Sequence, residues 1–297
     1  MKATLKFVLV ASLCLAGLQA AAQGIVVYKT DGTKVYYKDS EVERIGVYGY
    51  GEEPDLQPTE KSFTVTGNGK TVTFNMKLVE AGTFQMGSTS GNSDEQPVHS
   101  VTMTKDYYMG ETEVTQALWY AVMGQKPTSD GSQWESTYGL GDQYPAYRVS
   151  WNDCQTFITK LNAQTGATFR LPTEAEWEFA AKGGKKSNGY TYAGSNTISD
   201  VAWYTDNSSS TTHAVGTKSA NELGLYDMSG NVFEWCQDWY GSYSSDAQTD
   251  PTGPTSGSDR VYRGGRWVSL ASYCRVADRN WLNATRRGDG LGLRLAL

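Results

Sequence analysis

The sequence predicts an α+β domain rich in loops, with a small β appendage at its N-terminus. Three observations lead there. Glycine is abundant, 32 of 297 residues, which requires many tight turns and little long helix. Only three segments carry apolar residues at helical spacing, and none lies beyond residue 189. The other apolar residues fall in short alternating runs bounded by Gly, Asn, Asp and Ser, the mark of strands and turns.

Residues 1–22 have the layout of a secretory signal. Lys2 and Lys6 precede an apolar run over residues 7–18, too short to span a bilayer, and Ala20-Ala21-Ala22 forms a small-residue cleavage site before Gln23. Leu13 fits poorly the small residue expected before a lipid-bearing cysteine, so Cys14 is not expected to carry an anchor. No later stretch is long and apolar enough for a transmembrane segment. Export to the periplasm, the cell surface or the extracellular space is the expectation.

Residues 23–48 read as the β appendage. Two alternating runs, 25–28 and 35–37, flank Thr30-Asp31-Gly32-Thr33, whose Asp-Gly is a hairpin turn, and a further strand is expected at 44–48. The appendage is too short to hold a core alone. Residues 49–61, with Pro54 and Pro58 among acidic residues, read as a linker. The main domain, 62–297, opens on a second hairpin, Phe63-Thr64-Val65 and Thr71-Val72-Thr73-Phe74 around Gly67-Asn68-Gly69.

Three helices follow. Residues 115–123 place Leu118, Trp119 and Val122 on one side, with Gly124 as the stop. Residues 152–164 open with Asn/Asp capping, put Cys154, Phe157, Ile158 and Leu161 on one face, and end at Gly166. After Pro172, Thr173-Glu174-Ala175-Glu176 matches a capping box, and Gly183-Gly184 closes that helix. Glu174 and Glu176 resemble a paired acid/base site, but first-turn carboxylates favour a helix N-terminus electrostatically, and a structural role is expected. From residue 189 onward short strands alternate with long polar loops, where function is expected to lie.

Composition narrows the chemistry. With 39% hydrophobic and 20% charged residues a packed core is expected rather than disorder. A net charge of −6 offers no basic stripe for phosphates, which excludes nucleic acid as a partner. The two histidines, His99 and His213, stand apart with no second ligand nearby, and are expected to be hydrogen-bonding rather than catalytic. Aromatic side chains favour Trp and Tyr, 9 and 19 against 8 Phe. Trp203, Tyr204, Trp239, Tyr240 and Tyr243 either line a groove for peptide or sugar or pack in a Trp-rich core.

Four segments are more specific. They are Glu80-Ala81-Gly82-Thr83-Phe84-Gln85-Met86-Gly87, Arg170-Leu171-Pro172-Thr173-Glu174-Ala175-Glu176-Trp177-Glu178, Gly224-Leu225-Tyr226-Asp227-Met228-Ser229-Gly230-Asn231-Val232-Phe233-Glu234-Trp235 and Arg263-Gly264-Gly265-Arg266-Trp267. In that order and at those separations, residues 76–297 resemble the formylglycine-generating enzyme family, also called the sulfatase-modifying factor family. Glu111-Thr112-Glu113-Val114-Thr115 and Gly290-Leu291-Gly292-Leu293-Arg294 fit the same pattern.

The resemblance implies a loop-rich fold related to C-type lectins. It also implies, for active members, oxidation of a cysteine in a Cys-x-Pro-x-Arg motif by O₂ and copper(I) held on two thiolates. Family enzymes follow the double glycine with a serine and then two cysteines five positions apart. Here the serine position is Arg266, the first cysteine position is Ser269 and the second is Cys274. A serine hydroxyl is a poor copper(I) ligand, so the two-thiolate site is not expected to form. Cys274 then has two roles open, a residual redox thiol or, preferred in an exported protein, a disulfide with Cys236. The family's calcium sites, carried over residue by residue, would use Asp227, the carbonyls of Gly230 and Val232, and Glu234, with Asp200 and the Val201 carbonyl as part of a second. The acids would otherwise cap the loop through backbone N–H groups.

Two functions compete. One is a binding or accessory protein that keeps the scaffold without the copper site and takes a peptide, protein or glycan in a surface groove. The other is an oxidase that still converts a cysteine. The oligomeric state is not encoded in any motif.

Overall fold

A computed structural model describes residues 57–127 and 133–297, together with the backbone of three short strands near the N-terminus. The chain divides into two units, 1–57 and 58–297. In the first, β1 (Ala20–Ala21), β2 (Gly24–Tyr28) and β3 (Lys34–Tyr37) form an antiparallel sheet in that order. The expected hairpin is there, Ile25 opposite Tyr37 and Tyr28 opposite Lys34. Its turn, the strand expected at 44–48 and residues 1–19 lie outside the described residues.

The second unit begins earlier than the linker reading placed it. β4 (Glu60–Gly67) already pairs Glu60 with Lys77 and Lys61 with Met76 on β5 (Lys70–Val79). Charge explains the extension: Glu60 forms an ion pair with Lys77, and Lys61 sits over the Tyr108 ring at 4.0 Å. The hairpin turns on Asn68 and Gly69, with φ of 50° and 76°, the left-handed geometry a two-residue turn needs. Asn68 Nδ2 then donates to the carbonyl of Ala121 at 2.9 Å, tying the turn to the first helix. β8 (Tyr107–Gly110) completes this sheet beside β5.

β6 (Gly82–Met86) and β7 (His99–Met103) form a second antiparallel pair, to which β10 (Gln248–Thr249) adds in parallel. The third sheet runs β12 (Arg279–Asn283), β11 (Asp259–Arg263), β9 (Phe233–Trp239), β13 (Leu291–Gly292). β9 lies inside it, antiparallel to β11 and parallel to β13.

The three expected helices are present. α1 (Gln116–Met123) is capped by Thr115, whose side chain accepts from Leu118 N–H, and stops at Gly124 in the left-handed region. α2 (Trp151–Thr165) starts one residue before the sequence places it. Its cap is Ser150, in a reciprocal box with Asp153, because only a residue outside the first turn can reach back to the free N–H groups. α3 (Glu174–Ala181) carries the expected Thr173–Glu176 box and is buried along its whole length. A single-turn α4 (Ile198–Val201) is the only α-helix among the described residues beyond 189.

α1 and α2 close over β4 and β5. Trp119 and Phe157 stack at 5.0 Å within a core that also takes Met76, Phe169 and Trp235. A second core around Val79, Met109, Trp177, Phe179 and Val261 surrounds α3. The C-terminal residues bridge the two. Leu295 O accepts from Gly110 N–H and Ala296 exchanges backbone bonds with Arg170, so Leu293 and Leu295 are buried between β8 and the start of α3's loop.

Candidate functional site

The segment from Gly224 to Trp235 enters β9 through a loop with positive φ at Gly224, Asp227, Gly230 and Asn231. Gly230 is required sterically, since a Cβ there would lie 2.3 Å from the Trp203 carbonyl oxygen. Asn231 knots the loop. Its N–H donates to Trp203 O, its Oδ1 accepts from His213 N–H, its Nδ2 donates to Glu113 Oε2 at 2.8 Å, and its carbonyl accepts from Trp267 N–H. Glu113 Oε1 accepts from Val232 N–H. Burial, with Asp227 and Glu234 nearby, holds the Glu113 carboxyl well above its ordinary range.

The same loop presents the proposed calcium ligands. Glu234 is fully buried and receives Arg294 through Nε and Nη2, at 3.0 and 2.7 Å, and the Trp177 indole N–H at 2.6 Å. Its oxygens are therefore committed to a guanidinium. Asp227 Oδ2 accepts from Gly216 N–H, while Oδ1 is buried with no partner among the described residues, and burial pushes the carboxyl up to about 6. A hard cation needs several convergent oxygens. The structure leaves one carboxylate oxygen, Asp227 Oδ1, so the set fits calcium poorly. Of the second set, Asp200 is exposed with its carbonyl accepting from Ser219 N–H, and Val201 is buried. Among the described residues no group of three or more His, Cys, Asp or Glu is arranged to hold a metal.

The family's copper positions follow β11. Gly265 has φ of 77°, and a Cβ on it would lie 2.6 Å from Cys274 Sγ, so the double glycine backs directly on that thiol. Ser269 Oγ accepts the Arg266 N–H at 3.0 Å, and Ser269 N–H returns to Arg266 O at 2.8 Å, closing a tight turn. The Arg266 guanidinium bonds Asp289 at 2.7 Å. Cys274 packs against Ala202 and Tyr204, and burial pushes its thiol up to about 12. Leu270 and Tyr273, on either side of the turn, are 59% and 43% exposed.

The expected Cys236–Cys274 disulfide is absent. Cys154, Cys236 and Cys274 are three free, buried thiols. Each belongs to a different apolar cluster: Cys154 with Phe157 beneath α2, Cys236 on β9 against the core around α3, and Cys274 beside Tyr204. Counting cysteines in an oxidising compartment overlooked that each thiol is enclosed by its own packing.

Each histidine ring makes a hydrogen bond to a backbone carbonyl. His99 Nδ1 meets Pro97 O and His213 Nε2 meets Ser208 O, as hydrogen-bonding residues do. The aromatic residues divide between two places. Trp203 stacks on His213 at 3.7 Å, and the buried Tyr204 touches Cys274. Trp239 and Tyr243 instead line a cavity of about 220 Å³, with Glu174, Asp238, Gln248 and Arg279. Glu174 was expected only to favour its helix terminus. The structure adds a two-pronged pair with Arg279, Nε to Oε1 at 2.7 Å and Nη2 to Oε2 at 2.6 Å. Glu176 likewise pairs with Arg170. Asp238 and Arg279 carry no motif and stand far apart in the sequence, so only the fold brings them together.

The chain matches the sulfatase-modifying factor enzyme 1-like domain over residues 62–297. It belongs to the sulfatase-modifying factor family. Within that family it is 33% identical to the protein titled chaperone protein LppX of Paenibacillus barcinonensis, over 77% of this chain and 91% of that one. It is 28% identical to the formylglycine-generating enzyme of Streptomyces coelicolor, over 72% and 86%. Among solved structures, Treponema denticola variable protein 1 aligns with TM-score 0.70 and 36% identity, covering 81% of this chain and 99% of the other. PvdO from Pseudomonas aeruginosa aligns with TM-score 0.61 and 28% identity, covering 75% and 93%. Sulfatase-modifying factor membership accounts for the buried Glu234–Arg294 pair and the double glycine as parts of one scaffold, with mixed helix and sheet and long loops.

Proposed function

We propose that this chain is an exported member of the family without formylglycine-generating activity, acting as a binding or accessory protein for a peptide, protein or glycan. The observation that carries it is the donor set behind the double glycine. Ser269 stands where a thiolate is needed, its hydroxyl is already used by the Arg266 N–H, and Cys274 is buried with its thiol held protonated to about pH 12. Copper(I) selects soft thiolates, and one enclosed thiol with a hydroxyl does not supply them. The residues present do not fit copper. Relatives named as a chaperone, as a variable protein and as kinases of which this chain spans 37% support a scaffold put to several uses.

The N-terminal pattern of Lys2, Lys6 and Ala20-Ala21-Ala22 supports export, and no helix among the described residues is long and apolar enough to cross a membrane. Calcium would rest on Asp227 Oδ1 and the carbonyls of Gly230 and Val232, since Glu234 is committed to Arg294. The test is direct. Reduced protein is offered copper(I) and then O₂ with a Cys-x-Pro-x-Arg peptide, and no aldehyde is expected by mass spectrometry. Tight copper binding with aldehyde formation would restore the oxidase.

A further inference from the structure

We propose that the cavity at the C-terminal end of β9 binds a primary alkylammonium group, the chemistry of a lysine side chain or of a free diamine. The proposal deepens the binding-protein reading and rests on it. The acid of this cavity is Asp238, only 4% exposed. Its Oδ2 accepts the Glu174 N–H at 2.9 Å, and its Oδ1 has no hydrogen-bond partner among the described residues. Gly253 lines the same cavity, and a Cβ there would lie 3.1 Å from that oxygen, so the glycine leaves it uncovered. A buried carboxylate without a partner is costly, and a ligand can supply one.

Charge on the walls selects a cation. Two carboxylates, Glu174 and Asp238, line the cavity with one guanidinium, Arg279. Arg279 is committed to Glu174 in two hydrogen bonds at 2.7 and 2.6 Å, and to the carbonyls of Asp94 and Gly241. The neighbouring cations are occupied as well. Arg170 pairs with Glu176, and Arg263 with Glu178. Arg260 lies between the rings of Trp151 and Trp239, at 4.0 and 3.5 Å, and donates to Gln237 O. Among the described residues, Asp238 is the acid of this group left without a bonded cation. Burial, with Glu174 adding, lifts its carboxyl to about 8, as befits an enclosed acid that lacks a counter-charge.

The single free oxygen selects among cations. A guanidinium is matched by two carboxylate oxygens side by side, and here one is taken by the backbone of α3. A divalent metal ion needs about six oxygen ligands or more, far beyond one carboxylate oxygen. A quaternary ammonium, with no N–H, needs an open aromatic face. Tyr243 already carries the Arg279 guanidinium over its ring at 3.9 Å, and Trp239 carries that of Arg260. A primary ammonium is compact and donates through N–H, one bond of which goes to Asp238 Oδ1. Ser242 and Gln248 line the same cavity with further acceptor atoms, and Met86, Pro251 and Pro254 offer apolar surface to the alkyl chain.

The test uses the full chain at about pH 8.5, where the Asp238 carboxyl is ionised and a lysine ammonium is still charged. Calorimetric titration compares Nα-acetyl-lysine methylamide and cadaverine with the arginine, trimethyllysine and ε-acetyl-lysine counterparts of the first. At least one of the two primary amines is expected to bind, about tenfold or more tighter than all three counterparts. Preference for the lysine amide marks a peptide side chain as the source, and preference for cadaverine a free diamine. Asp238→Asn, nearly isosteric, should weaken binding about tenfold or more, the scale of losing a hydrogen bond to a charged group. Should that variant fail to fold, the selectivity of the unaltered chain among the probes decides alone. No binding of either primary amine, equal binding of the arginine or trimethyllysine counterpart, or a folded Asp238→Asn that binds as well as the unaltered chain would each overturn the proposal. The copper and aldehyde assay reads the wider function separately: a chain that makes no aldehyde and binds no amine loses only the ammonium site.

Discussion

At the scale of single residues, two substitutions probe the two sites. Ser269 and Cys274 keep the spacing of a family thiolate pair but only one sulfur. Ser269→Cys should raise copper(I) affinity by roughly a hundredfold or more in a chelator competition, since a second soft ligand is what the position lacks. An unchanged affinity would show that the Arg266–Ser269 turn, and not the hydroxyl, prevents the site. Asp238 faces Glu174 and Glu176 from α3, Arg279 from β12, Arg260 from β11 and Arg170. Burial, with Glu174 adding, raises its carboxyl from 3.8 to about 8. Between about pH 4 and pH 8 the folded chain keeps a proton that the unfolded chain has lost, so this group lowers stability as pH rises. Asp238→Asn removes the titration. Its melting temperature relative to wild type should be higher at pH 9 than at pH 5, and a constant difference across that span would refute the assignment.

At the scale of elements, local chemistry explains why the helices were legible. Thr173 and the glycines at 124 and 166 act within one turn of chain, and the structure uses all three where the sequence placed them, while Thr115, read as the first helical residue, is the cap instead. Ser150 was missed because Asn152 and Asp153 are equally good caps in isolation, and only the packing of Trp151, whose indole N–H donates to Cys236 O, selects the start. Thr173→Ala should cost about 1 kcal/mol, because Thr173 Oγ1 accepts the Glu176 N–H and Glu176 returns to Thr173 N–H. For a domain of this size that is a fall of about 2–4 °C in melting temperature, measurable by calorimetry. A neutral result would mean that Arg170, paired with Glu176, holds the helix start by itself.

For the whole molecule, the decisive contacts join residues far apart in sequence. Arg294, itself fully buried, reaches the buried Glu234 and the carbonyls of Gly110 and Tyr226. Arg294→Ala leaves Glu234 buried without its partner and should destabilise by about 3–5 kcal/mol, a large part of a typical domain's stability. Chemical denaturation checks this, and a loss below about 1 kcal/mol would show that the pair is dispensable.

The sequence by itself determined the α+β character, the hairpin at Asn68-Gly69, the three helices with most of their caps, and the family, because each rests on chemistry within a few residues or on motifs read in order. Only the tertiary structure decided that the three cysteines stay apart and that Glu234 is committed to Arg294. It alone gathered Glu174, Asp238, Gln248 and Arg279 around one cavity. Those outcomes depend on which buried neighbours a side chain meets across the chain, and burial, unlike periodicity, leaves no local trace.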